Sequence, residues 1–349
     1  GTQVGEYVIE RLIGEGGMGA VYGARHPVIG KRVAVKVMNR VCSAEPINVE
    51  RFVQEAKAVN AIGHSNIVDI FAFGRTHDER CYFVMEWLQG ESLRARLDRG
   101  APSGAHVLDI LDGVLRALEA AHAAGIVHRD LKPDNIFLLA AKDDQPERVK
   151  LLDFGIAKAL GDAPELTKDG TKNGTMKGKY AYMAPEQTEG DDVDNRSDIF
   201  ACGIVLHEVL TGRRLFKGTN DVQTIERVRR CDVPPPSLQN PAVPPALDAI
   251  VLKALQRNPD DRWGDAADMA NALDDVVHEA RFQPTNLAQL LYELFPTTEG
   301  GGPPRGSLHP TIPHATLSSS SLRSPTVPPI SRTASGAPLF DPGMPPSLK

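Results

Sequence analysis

From Tyr7 to Leu88 the apolar residues come in short runs separated by glycine and polar turns, the pattern of strands. Tyr7–Ile13 reads as a first strand and Ala20–Ala24 as its return, joined by Gly14-Glu15-Gly16-Gly17-Met18-Gly19. In the next strand, Lys31–Met38, period two sets Val33, Val35 and Val37 on one face and Ala34 and Lys36 on the other. A helix is expected over Asn48–Ala61, ended by Gly63, and two further strands over Asn66–Phe73 and Arg80–Glu86.

Past Gln89-Gly90-Glu91-Ser92 the period lengthens. Leu108, Leu111, Leu115, Leu118 and Ala121 recur at helical spacing until Gly125. Ile126-Val127 then leads into a polar loop, which leaves as a strand at Ile136–Leu139. Lys142–Glu147 reads as a hydrophilic hairpin tip, and Val149–Leu152 as the returning strand. Asp198–Leu206 is almost wholly apolar, which predicts a helix buried on every side. After proline-rich loops, Ala246–Leu255 and Ala266–His278 read as helices. Residues 284–296 read as a short amphipathic helix, with Leu287, Leu290, Leu291, Leu294 and Phe295 on one face, expected to dock on its own domain. Residues 297–349 are rich in Pro, Ser and Gly, too poor in apolar area to offset chain entropy, and read as a disordered tail or linker.

Composition narrows the function classes. A formal charge of −6 over 349 residues offers no basic field for nucleic acid. Cys42, Cys81, Cys202 and Cys231 are scattered without metal spacing, as in a reducing, cytoplasmic compartment. No apolar run spans a bilayer and no signal peptide opens the chain. The first residue is Gly1 rather than Met, which leaves room for the cytosolic part of a longer, membrane-anchored protein.

The chemistry concentrates in His128-Arg129-Asp130-Leu131-Lys132-Pro133-Asp134-Asn135, followed by Asp153-Phe154-Gly155. A carboxylate, an ammonium and an amide oxygen share one short loop, with a second carboxylate close behind. Such a set orients a hydroxyl, neutralises a phosphate and holds a divalent cation. The glycine turn has two readings. A dinucleotide-binding unit needs a helix after the glycines, whereas here Val21 and Tyr22 follow. A hairpin whose backbone N–H groups approach phosphates fits better, beside the plain alternative of a flexible turn. Lys36 reads as a phosphate ligand and Glu55, mid-helix, as its anionic partner.

In order and spacing, the glycine hairpin, Val-Ala-Val-Lys36, Glu55, HRDLKPDN, DFG, Ala184-Pro185-Glu186, Asp198 and Arg262 resemble the eukaryotic-like protein kinases, in wording the bacterial serine/threonine branch. The similarity runs from about Tyr7 to Ala280. It implies an α+β, bilobal protein-kinase fold over residues 1–283. A small antiparallel sheet with one helix (7–88) would sit on a larger, mainly helical lobe (89–283). Gly14, Glu15, Gly16, Gly17, Met18, Gly19 and Ala20 would cover the phosphates of ATP. Ile13, Val21, Ala34, Met85 and Phe137 would enclose adenine, and the backbone of Glu86 and Leu88 would read its edge. Lys36, paired with Glu55, would bind the α- and β-phosphates. Asp130 would accept the substrate proton, Lys132 would counter γ-phosphate charge, and Asn135 and Asp153 would hold Mg2+, or Mn2+ in its place. His128 would pack and hydrogen-bond, Glu186 and Arg262 would form a buried ion pair, and Asp198 would brace the catalytic loop.

The resemblance also implies regulation. Arg129 beside Asp130 favours control by a phosphate on the loop, at Thr175 or Thr171. Partners would be protein substrates and a second copy for trans-autophosphorylation. Lys179 stands where the family carries threonine, which bears on substrate class. The competing readings are a pseudokinase or adaptor scaffold, against which all five of Lys36, Glu55, Asp130, Asn135 and Asp153 are present.

Overall fold

The computed structural model describes residues 2–16, 19–100, 104–140, 148–154 and 179–281. Six strands form one antiparallel sheet in the order β1-β2-β3-β4-β6-β5. They are β1 (Gln3–Val4), β2 (Tyr7–Gly16), β3 (Gly19–Arg25), β4 (Arg32–Met38), β5 (Ile70–Arg75) and β6 (Cys81–Glu86). Val33, Val35 and Val37 turn one face of β4 into a small core with Val4, Tyr82 and Val84. The expected alternation therefore frees the opposite face, with Ala34 and Lys36, for the site.

Two helices follow β4 rather than one. A five-residue α1 (Arg40–Ala44) precedes α2 (Pro46–Ile62), which starts at a proline in its first turn and ends on Gly63 in the left-handed region. β5 begins at Ile70, four residues later than the expected strand. Residues 66–68 pair elsewhere: Leu151 N donates to Asn66 O at 2.7 Å and Val68 N to Leu151 O at 3.1 Å.

The second sheet, β7-β8-β9, is built from Gly90–Ser92, Ile136–Leu139 and Arg148–Leu151. Around it stand α3 (Leu93–Arg99), α4 (Gly104–Ala123), α5 (Pro185–Glu189), α6 (Arg196–Thr211), α7 (Asp221–Arg230), α8 (Pro245–Ala254) and α9 (Ala266–Arg281). The leucine stripe of α4 is buried at Leu111, Leu115 and Leu118. Every residue of α6 from Ser197 to Leu210 is buried, as the unbroken apolar run requires. Each such large side chain contributes about 1.5–3 kcal/mol on leaving water. Among the described residues no helix is long and apolar enough to cross a membrane. The expected helix at 284–296, the tail and the hairpin tip at 142–147 lie outside the described residues.

Candidate active site

The register of the first sheet sets the upper half of the site. Val21 lies opposite Lys36 on β3 and β4, and Ala34 opposite Met85 on β4 and β6. A bulge between Leu12 and Gly14 takes Ile13 out of step with β3, and Ile13 is half exposed. Glu15 pairs with Ala20 and Gly16 with Gly19 at the hairpin tip, while Gly17 and Met18 lie outside the described residues. A Cβ built on Gly14 or Gly16 meets nothing within 4 Å, whereas one on Gly19 falls 2.0 Å from the Val37 carbonyl oxygen. The first two glycines thus face open space, and the third lets two strands approach.

The lower half hangs on α6. Buried Asp198 accepts from the backbone N–H of His128 at 2.7 Å and of Arg129 at 2.8 Å, and its Oδ2 meets His122 Nε2 at 2.9 Å. Arg129 has φ of 61°, unusual for a side chain of that size, and the carboxylate holds it there. His128 is fully buried. Its Nδ1 accepts from Asp130 N at 3.3 Å, so Nε2 carries the proton and donates to Leu152 O at 3.0 Å. The Phe154 ring packs on it with centroids 4.6 Å apart.

This brace presents three groups together. Lys132 Nζ donates to Asp130 Oδ2 at 2.9 Å. Asn135 Nδ2 donates to the Asp130 carbonyl at 2.8 Å, which leaves the amide oxygen as its acceptor. Leu152 N donates to Asn135 O at 2.9 Å and so carries Asp153 to the loop. The two halves meet where Lys36 Nζ donates to Asp153 Oδ1 at 2.8 Å, across 117 positions of sequence. Phe137 on β8 and Leu88 after β6 are half-buried. Glu55 lies on α2, but its side chain is outside the described residues, as are Gly155, Thr171 and Thr175.

Other parts of the larger lobe follow the expectation too. Arg262 grips Glu186 with two parallel bonds of 2.7 and 2.8 Å, both residues buried. Sequence reasoning missed a second cluster. Arg94 donates to Glu208 Oε1 at 3.0 Å and to the Tyr182 hydroxyl, which itself donates to Glu208 Oε2. Burial and the Glu208 carboxylate push the Tyr182 phenol up. The available signal was Glu208 itself, a carboxylate close behind the apolar run of a wholly buried helix.

The family model of the protein kinase domain matches residues 7–276. The chain belongs to the protein kinase family. Its curated relatives include the serine/threonine-protein kinase Pkn1 of Myxococcus xanthus, 45% identical over 281 residues, covering 80% of this chain and 39% of that protein. PknH of Mycobacterium tuberculosis is 36% identical over 316 residues, covering 90% of this chain and 48% of that one. The chain thus spans about half or less of the length of these relatives. Among solved structures, the Mycobacterium tuberculosis PknI kinase domain aligns with TM-score 0.60 and 26% identity, over 79% of this chain and 98% of that one. The bilobal kinase fold and the bacterial serine/threonine branch are therefore as the motifs implied.

Proposed function

We propose that this chain is an ATP-dependent serine/threonine protein kinase that transfers a γ-phosphate to protein hydroxyls. The observation that carries the reading is the contact between Lys36 and Asp153 beside the Asp130–Lys132–Asn135 cluster. That contact spans the two halves of the site and sets an ammonium beside a carboxylate, where a phosphate and its cation would each find a partner of opposite charge.

Members of the protein kinase family use ATP and Mg2+. The donors here fit that cation: one carboxylate, Asp153, and the amide oxygen of Asn135 leave its other positions to phosphate oxygens and water. Mn2+ would suit the same set. The cation neutralises phosphate charge when bound. Lys36 would then move from Asp153 toward the α- and β-phosphates, the exchange of one anion for another. Asp130 would orient the substrate hydroxyl and take its proton, and Lys132, already 2.9 Å from Asp130, would face the charge on the transferring group. Little covalent work falls to protein groups in such a transfer; position and charge dominate. Ile13, Val21, Ala34, Met85 and Phe137 would enclose the base against the backbone of Glu86 and Leu88.

Autophosphorylation at Thr175 or Thr171, in trans within a homodimer, would place a phosphate near Arg129. The kinase domain would span residues 1–283. The test is incubation of the purified chain with labelled ATP and Mg2+ beside Lys36→Met and Asp130→Asn, with every phosphosite mapped. Asp130→Asn should lose about two to four powers of ten in turnover while binding nucleotide within a few-fold of the parent. Phosphorylation at the parental rate by Asp130→Asn would refute the assignment of the base.

A further inference from the structure

Lys150 lies on β9, is only 8% exposed, and sits three residues before Asp153. A buried ammonium needs an anion and acceptors around it. Its Nζ lies 2.5 Å from Glu86 Oε1 and donates to the Ile67 carbonyl at 2.9 Å. The same Glu86 oxygen accepts from Asp69 N at 2.9 Å, and Glu86 N donates to Asp69 O at 3.0 Å. Asn66 Nδ2 adds a bond to Val149 O at 2.9 Å. One side chain therefore joins three segments: the end of β6, the stretch 66–69 after α2, and β9.

These bonds complete a circuit. From Glu86, Lys150 leads along β9 to Asp153; Asp153 binds Lys36; and Lys36 leads along β4 to Val33, which pairs with Glu86. The circuit encloses the slot that the kinase reading gives to the nucleotide, and this inference rests on that reading. Glu86 is its junction, because its backbone stands at the adenine edge while its side chain is committed to Lys150 and Asp69. We propose that Lys150 is a positioning residue: held between Glu86 and the Ile67 carbonyl, it sets the spacing between the end of β6 and β9, and hence the fit of the nucleotide slot. With Lys150 buried and Glu86 partly so, desolvation offsets much of the attraction between them, which favours a geometric role over a stabilising one.

The test uses the full chain with Mg2+ and a fluorescent ADP analogue, on the parent, Lys150→Met, Glu86→Gln and Lys150→Arg. Lys150→Met and Glu86→Gln should weaken nucleotide binding about tenfold, because the competent slot is less populated. The ATP KM should rise in parallel, and in Lys150→Met the autophosphorylation rate at saturating ATP should stay within about twofold. Lys150→Arg, which keeps charge and reach, should restore parental affinity. A purely structural role predicts a lower melting temperature with nucleotide affinity unchanged in all three variants, and that result overturns the proposal. Lys150→Met that does not fold leaves Glu86→Gln to decide by the same measurement. A parent that binds no nucleotide at all would remove the kinase reading itself, an outcome distinct from equal binding by parent and variants.

Discussion

Replacing Asp198 should damage turnover far more than nucleotide binding, although it touches neither substrate. In Asp198→Ala the N–H groups of His128 and Arg129 and the ring of His122 lose their shared acceptor. Each buried donor left unpaired costs about 1–3 kcal/mol, so the alanine variant threatens the fold as well as the loop. Asp198→Asn is the cleaner perturbation. It keeps one acceptor oxygen and sets an amide N–H2 against a donor, a loss of about 2 kcal/mol. Arg129, at φ of 61°, would be the first residue to relax, since a left-handed backbone costs a non-glycine residue roughly 1–2 kcal/mol. A bias of about 2 kcal/mol shifts the ratio of competent to relaxed loop about thirtyfold. The expected result is kcat down by up to about that factor with ATP KM within about threefold. Initial rates across ATP concentrations give both constants, and hydrogen exchange on residues 127–131 reports the loop. A variant with faster exchange there but parental kcat would refute the link between brace and chemistry.

Glycine position should separate ligand from fold. Gly16→Ala, with open space around its Cβ, should leave the melting temperature unchanged and raise ATP KM. Gly19→Ala, which drives a methyl into the Val37 carbonyl, should lower the melting temperature. Thermal scans and initial rates on both variants check this. Arg262→Leu should cost about 3–5 kcal/mol in chemical denaturation, because it strands the Glu186 carboxylate in the core. His207 is buried in α6, with burial lowering its pKa and Nε2 against the Pro234 carbonyl. The unfolded chain takes up that proton near pH 6.5 and the fold resists it. Stability should therefore be full above that pH and fall below it, by at most about 1.4 kcal/mol per unit. His207→Gln, compared with the parent by thermal denaturation at pH 7.5 and 5.5, should show the smaller loss.

The site was legible in the sequence because its residues contradict their surroundings. Lys36 interrupts a valine strand, and Asp130, Lys132 and Asn135 stand between two apolar runs. Polar groups so placed must be held for something other than packing, and their order along the chain named the family. The elements around them follow from periodicity alone: the valine alternation in β4, the leucine stripe in α4 and the continuous burial of α6 all appear as expected. Illegible were the places where partners are remote. Asn66–Asp69 carries strand-like residues, yet its backbone pairs with Leu151, eighty-five positions after Asn66, and only that competition delays β5 to Ile70. No local pattern separates this outcome from a longer strand. The short α1 likewise has no period of its own to announce it.

Lys150, Arg94 and Glu208 were hidden for the opposite reason. Arg94 also meets Asp98 at 3.5 Å and Glu208 also meets Arg214 at 3.7 Å, so local sequence offers nearer partners and does not announce the long-range ones. Lys150 finds Glu86 and Arg94 finds Glu208, across sixty-four and 114 positions. Such pairs contribute little net free energy, since desolvation offsets attraction, but they admit only a narrow range of separations. The apolar core fixes which elements pack together. On the proposed reading the ion pairs set how far apart they stand, and a slot for a flat base and a charged tail would require that spacing.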